Sequence, residues 1–221
     1  MKVDLKKEIA SYSAARGRFD VVTVPMLQYL MIDGHGDPNT SQTYAEALAA
    51  IYPVAYKLKF FSKRELDRDY TVMPLEALWW ARDMDAFTAA RDKSQWNWTV
   101  MILVPEWLTA EHVDAVRETV RRSGGGPALD AIRLESLDEG TVVQTLHLGP
   151  YDDEGPVLEE MHHVFIPARS LRMVGRHHEI YLSDARRTAP EKLRTILRQP
   201  VAPATGVPPV AGAMVPRRRE E

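Results

Sequence analysis

The chain has 221 residues, of which 45% are hydrophobic, enough for one large domain or two small halves around a proper core. Its lack of cysteine excludes disulfides, thiolate zinc sites and cysteine nucleophiles, and a formal charge of -3 gives no basic footprint for nucleic acid. No apolar run approaches the length of a membrane span, and the charged start from Met1 to Glu8 lacks a signal peptide's apolar segment, so a cytoplasmic protein is expected.

After a polar start with helical character, Val21 to Ile32 is apolar and β-rich and stops at the turn formers Gly34-His35-Gly36-Asp37-Pro38-Asn39. Tyr44, Ala47, Leu48, Ile51, Ala55 and Leu58 then recur at helical spacing, with Thr40 or Ser41 as the cap and Pro53 expected to kink or break the helix. Tyr70 to Trp80 reads as extended structure split by Pro74, and Trp96 to Val104 as a second extended run. Val113, Val116 and Val120 mark a helix from near Thr109 that ends at Ser123-Gly124-Gly125-Gly126-Pro127. That glycine run lacks the ending of a phosphate loop and is the candidate boundary between two halves, near residues 123–140.

Beyond a strand or connector at Ala128 to Leu137, the first pattern returns. Thr141 to Leu148 is a strand, Gly149 to Asp153 a turn, Val157, Leu158, Met161 and Phe165 a helical stripe, and Val174 to Asp184 a further strand. With Gly34 laid over Gly149, the halves form a duplicated strand-helix-strand unit. Two such units side by side predict an α+β fold with a mainly antiparallel sheet, helices on one face and a ligand cleft on the other. From Pro200 onward, Pro and Gly without a period predict a flexible tail, which leaves residues 1–199 as the domain.

The strand around Glu179 carries the chemistry. Alternation puts Glu179 and Tyr181 on one face and Ile180 and Leu182 on the other. A glutamate in mid-strand runs against β propensity; it is explained either by a solvated outer face or by a functional carboxylate. In a cleft walled by aromatic rings, desolvation would raise its pKa toward the range of a general base. Trp80, Trp98, Trp107 and Tyr181 are the candidate stacking surfaces for a planar or hydrophobic small molecule. Trp80 is preferred to Trp79 because it shares parity with the polar Glu76. The doublets His162-His163 and His177-His178 suggest metal binding, but adjacent strand residues point apart, and Glu160-x-x-His163 lacks the second copy that a di-iron bundle needs. No metal and no cofactor is expected.

Four motifs together, Gly34-His35-Gly36-Asp37-Pro38-Asn39, Pro74-Leu75-Glu76-Ala77-Leu78-Trp79-Trp80, Gly149-Pro150-Tyr151 and His178-Glu179-Ile180-Tyr181-Leu182-Ser183-Asp184, resemble the GyrI-like small-molecule-binding proteins in their stand-alone form. The segment Thr188 to Arg198 also fits that family's ending. The resemblance implies a tandem βαββ fold with pseudo-twofold symmetry, whose central cleft receives flat or cationic ligands on a glutamate and aromatic residues. Stand-alone members similar to this chain are implicated in hydrolysing cyclopropane-containing, DNA-alkylating natural products of the yatakemycin and duocarmycin type. On that reading Glu179 is the base that activates water, and Tyr151, placed by the Gly149-Pro150 turn, is the donor to the oxygen on which charge develops. Binding or sequestration of flat, cationic or multidrug-type ligands without chemistry is the alternative. A macromolecular partner finds little support in the charge balance.

Overall fold

Because the expected extended runs are apolar on both faces, they need partners on both sides of a sheet, and the fold supplies them. The computed structural model describes residues 2–81 and 92–204. Its strands are β1 (Lys2–Val3), β2 (Asp20–Val24), β3 (Leu27–His35), β4 (Asp69–Tyr70), β5 (Leu75–Trp80), β6 (Asn97–Leu103), β7 (Arg133–Leu137), β8 (Gly140–Leu148), β9 (Leu171–Met173), β10 (His177–Tyr181) and β11 (Arg194–Pro203). Helices are α1 (Leu5–Glu8), α2 (Gln42–Glu65), α3 (Ala110–Arg122), α4 (Gly155–Glu159) and α5 (Ile166–Ala168), the last two joined by a π-helical turn at Glu160–Phe165.

The large sheet runs β2-β8-β11-β10-β5-β6-β3-β7, with β9 added on β11. Every pairing in it is antiparallel. Read from the centre, where β10 pairs with β5, the order is a mirrored one: β3-α2-β5-β6 on one side and β8-α4-β10-β11 on the other, each a βαββ unit. The α+β, mainly antiparallel architecture is therefore as expected.

Three local expectations change. The run from Val21 to Ile32 divides at Pro25-Met26 into β2 and β3, which lie near opposite edges of the sheet. Helix α2 continues through Pro53, capped by the Ser41 hydroxyl, which accepts from the Tyr44 N–H at 3.3 Å. Pro53 and Ala49, the residue whose carbonyl loses its partner, both sit on the exposed side, where water can satisfy that oxygen. Third, the tail begins later than Pro200: residues 200–203 belong to β11, and Pro200 falls where the strand leaves β8 and takes up β9. A missing donor is tolerated at such a hand-over. The remainder of the expected tail, 205–221, lies outside the described residues.

Strand register decides which side chains share a face. Trp79 lies opposite both His177 and Trp98, and Trp98 opposite Gly34; Ala77 lies opposite both Glu179 and Val100. This face carries the helices. The α2 stripe Ala47, Ala50, Ile51, Val54, Ala55 and Leu58 is buried within the main core. Met161 and Ile166 of the second helical layer pack with Val143, Leu197 and Val201 in a smaller cluster. The other face is closed by the N-terminal segment. Arg198 Nη2 donates to the Ser11 carbonyl at 2.8 Å, Gln144 Nε2 to that of Ser13 at 3.1 Å, and the Leu146 N–H to that of Ala15 at 3.2 Å. Among the described residues, no helix is long and apolar enough to cross a membrane.

Candidate functional site

The two helical layers leave a gap over the centre of the sheet, and the gap is a cavity of about 960 Å³. Its place corrects the expected geometry: the cleft opens on the helix-bearing face, between the layers. Each helix covers only the strands of its own half, so the β5 and β10 seam is left open. On the opposite face, the N-terminal segment from Ser11 to Ala15 covers Arg198, Gln144 and Glu76.

Glu179 and Tyr181 line the cavity together, as their shared parity requires. Trp79 Nε1 donates to Tyr181 Oη at 3.0 Å, and Tyr181 Oη donates to Glu179 Oε2 at 2.7 Å. The chain of donors fixes the direction of every proton in it. Burial, with Glu179 and Tyr44 beside it, holds the Tyr181 hydroxyl far above its ordinary value, so the phenol keeps its proton and the carboxylate its hydrogen bond. Glu179 is only 8% exposed.

Around this pair stand aromatic walls. Tyr44 of α2 stacks on Trp79 with ring centroids 6.0 Å apart, Trp96 meets Trp79 edge-on at 5.6 Å, and Tyr151 meets Tyr181 edge-on at 5.5 Å. Tyr151, in the turn after β8, is half-buried and lines the cavity. Burial, with Glu154 and Glu179 as negative neighbours, pushes its hydroxyl up to about 12. At neutral pH it is a donor. Glu154, at the start of α4, is a second carboxylate of the lining.

The sequence-predicted residues thus divide. Glu179, Tyr181 and Tyr151 come together at the cavity. Trp80, Trp98 and Trp107 do not line it. Trp80 points to the back face, where the Arg176 guanidinium lies 3.7 Å above its ring. Trp98 is wholly buried against Gly34 and meets Tyr44 edge-on at 5.0 Å, so it backs the wall rather than forming it. Trp107 donates from Nε1 to Ser62 Oγ at 3.0 Å and packs on Tyr70. Trp79 takes the place expected of Trp80. The parity argument failed because Glu76 is a buried member of a second polar system and marks no open face. Tyr44, Trp79, Trp96 and Glu154 were missed as lining residues, and the signal that finds Trp79 is its parity with Leu75 and Ala77, the apolar row that meets the helices.

Behind the site, His178 points away from Glu179 into that second system. Its Nε2 is 3.0 Å from Glu76 Oε2 and its Nδ1 3.0 Å from Glu139 Oε1, so with a carboxylate at each nitrogen both must carry protons. Arg198 Nη1 donates to Glu139 Oε2 at 2.8 Å, and Tyr12 Oη donates to Glu76 Oε1. Two cations thus meet two carboxylates, with side chains at most 3% exposed. Burial opposes a charge on His178, but Glu139 and Glu76 outweigh it and raise its pKa above the histidine norm.

A family model of the GyrI-like small-molecule-binding domain matches residues 18–202. Two Listeria innocua crystal structures, one of an uncharacterized conserved protein and one of a hydrolase, superpose with TM-scores of 0.83 and 0.79. Each is 34% identical and matches over 91% of this chain and 100% of the other. The EcmrR C-terminal domain shares the fold, with a TM-score of 0.53 at 10% identity over 84% of this chain and 98% of that domain. A search of curated proteins returns no significant match. The match over most of the chain, together with two full-length structural relatives, makes this chain a member of the GyrI-like small-molecule-binding family.

Proposed function

We propose that the cavity binds flat, hydrophobic small molecules and that the protein adds water to a strained, conjugated cyclopropane in such a ligand, a detoxifying hydrolysis. The observation that carries the reading is Glu179, 8% exposed among aromatic rings, with Tyr151 lining the same cavity. In the reaction, water oxygen attacks the ring methylene while Glu179 takes the water proton. The cyclopropane C–C bond breaks, and its electron pair passes through the conjugated system to the carbonyl oxygen, which becomes a phenolate. Tyr151 donates a hydrogen bond to that oxygen as charge develops, and the proton on Glu179 is returned to it, so the product is substrate plus one water. Strain release supplies the driving force, and the chain's own residues supply base, donor and an aromatic slot that orients the ligand. The Listeria relative described as a hydrolase supports this class of reaction.

Incubation with a duocarmycin-type cyclopropane, followed by mass spectrometry, tests it: one water should be gained, and Glu179→Gln should bind the compound without converting it. Full turnover by that variant sinks the assignment. A second reading, sequestration of a flat cation without chemistry, is favoured by Glu154 and Glu179, the two buried carboxylates of the aromatic cavity's lining. Under that reading the ligand is recovered intact.

A further inference from the structure

The fold splits the histidine doublets that the sequence displays. On β10, His178 enters the back-face ion system while His177 shares the cavity face with Glu179, its side chain fully buried and outside the cavity lining. His177 Nε2 lies 3.5 Å from Glu179 Oε1, inside ion-pair range and a small rotation short of a hydrogen bond. The other carboxylate oxygen already accepts from Tyr181. Glu179 is therefore flanked on two sides, by a phenol that donates to it and by an imidazole within ion-pair range.

What holds His177 comes from the other doublet. The π-helical turn at Glu160–Phe165 is wider than an α turn, and two consecutive residues, Met161 and His162, are buried on it, 0% and 3% exposed. The His162 ring meets His177 edge-on at 5.9 Å, and its two nitrogens are buried with no hydrogen-bond partner among the described residues. Burial, with His177 and His163 beside it, pushes His162 down to about 3, so it stays neutral near pH 7. Among the described residues, the titratable groups seen beside His177 are Glu179 of its own strand and His162 of the π-helical turn, with His163 next to His162, while Trp79, opposite on β5, does not titrate.

We infer that His177 is a positioning residue for Glu179: it fixes the carboxylate from behind so that a lone pair faces the cavity, without touching the ligand. The inference rests on the reading of Glu179 as the functional carboxylate. His177→Phe keeps a ring of similar size and removes the nitrogen; His177→Gln restores an N–H at similar reach. In H177F, kcat for the cyclopropane substrate should fall roughly 10- to 100-fold, as misplaced catalytic groups do, with KM nearly unchanged. H177Q should regain most of the rate.

A second readout needs no turnover. By Trp fluorescence, the Kd of the planar cation N-methylacridinium should rise about tenfold in H177F, a loss of about 1.4 kcal/mol, while that of neutral acridone stays put. Wild-type rate and wild-type cation affinity in H177F would overturn the inference. So would equal losses for cation and neutral ligand, or an H177Q that falls as far as H177F, since packing alone gives those patterns. Should H177F not fold, His177→Met supplies the same comparison. A fully active Glu179→Gln overturns Glu179 as the base of the proposed hydrolysis, with the cation-to-neutral affinity ratio still judging His177; an inactive Glu179→Gln beside an unaffected H177F overturns this inference alone.

Discussion

Glu139→Gln removes one charge from the back-face ion system without changing its shape, and the effect can be worked from the structure. Burial works against the Glu139 carboxylate, but the His178 and Arg198 cations overcome it and hold its pKa at about 2, against 4.5 for an ordinary glutamate. A carboxyl depressed on folding adds stability that is complete above its unfolded pKa and is lost as pH falls through its folded one. At about 1.4 kcal/mol per pH unit, the difference is worth about 3 kcal/mol. Glutamine does not ionise, so this increment is absent from the variant. Urea unfolding followed by Trp fluorescence should show a gap between wild type and E139Q of about 3 kcal/mol at pH 6, most of it gone by pH 2.5. A gap below about 1 kcal/mol at pH 6, or one of equal size at both pH values, would refute the reasoning, because a broken buried pair should cost a few kcal/mol.

Four further outcomes follow from the same geometry. His178 has a pKa raised on folding, so its contribution is complete below the unfolded histidine value of about 6.5 and is lost as pH rises through the folded one; the stability of wild type minus that of H178Q should therefore shrink on the alkaline side in urea titrations. Tyr181→Phe unpairs Glu179 Oε2 and the Trp79 indole together, and should lower kcat roughly tenfold or more, the worth of one hydrogen bond to a charged group. Trp79→Phe should weaken binding of a planar ligand about tenfold by fluorescence titration, while Trp80→Phe, beneath Arg176 on the far face, leaves it nearly unchanged. Gly34→Ala drives a Cβ into the buried Trp98 ring and should cost about 1–3 kcal/mol, seen as a Tm lowered by several degrees.

Periodicity made the frame legible. The apolar alternation of β6 and β8, the stripe of α2 and the valine spacing of α3 each predicted the right element, because each buries one pattern against one neighbour. The carboxylate and its strand partner, Glu179 and Tyr181, were legible for the same reason. Which tryptophan faces the ligand was not. Choosing Trp80 assumed that one face of β5 is core and the other open, and a sheet buried on both faces breaks that assumption: Glu76 is polar and yet 0% exposed. The cover that buries it, Ser11 to Ala15, has no apolar period of its own and holds on through backbone carbonyls that accept from Arg198 and Gln144. Such a contact depends on chain path, which composition does not record. The end of β11 was hidden likewise, since Pro200 and Pro203 read as breakers while the strand was changing partners.

Strand β10 carries a polar or ionisable side chain at four of its five positions, and that density makes its alignment self-checking. Shift it by one residue against β5 and β11, and Ile180 turns toward the ligand while Glu179 swings in beside Glu76 and Glu139. Three carboxylates would then face Arg198, with His178 moved to the opposite face. A one-residue slip turns every side chain of a strand to the other face, and where both faces are buried and apolar that exchange alone costs little. Here the misaligned sheet meets like-charge repulsion on one side and an empty grip on the other. The residues that equip the cavity also tell the strand where to stop.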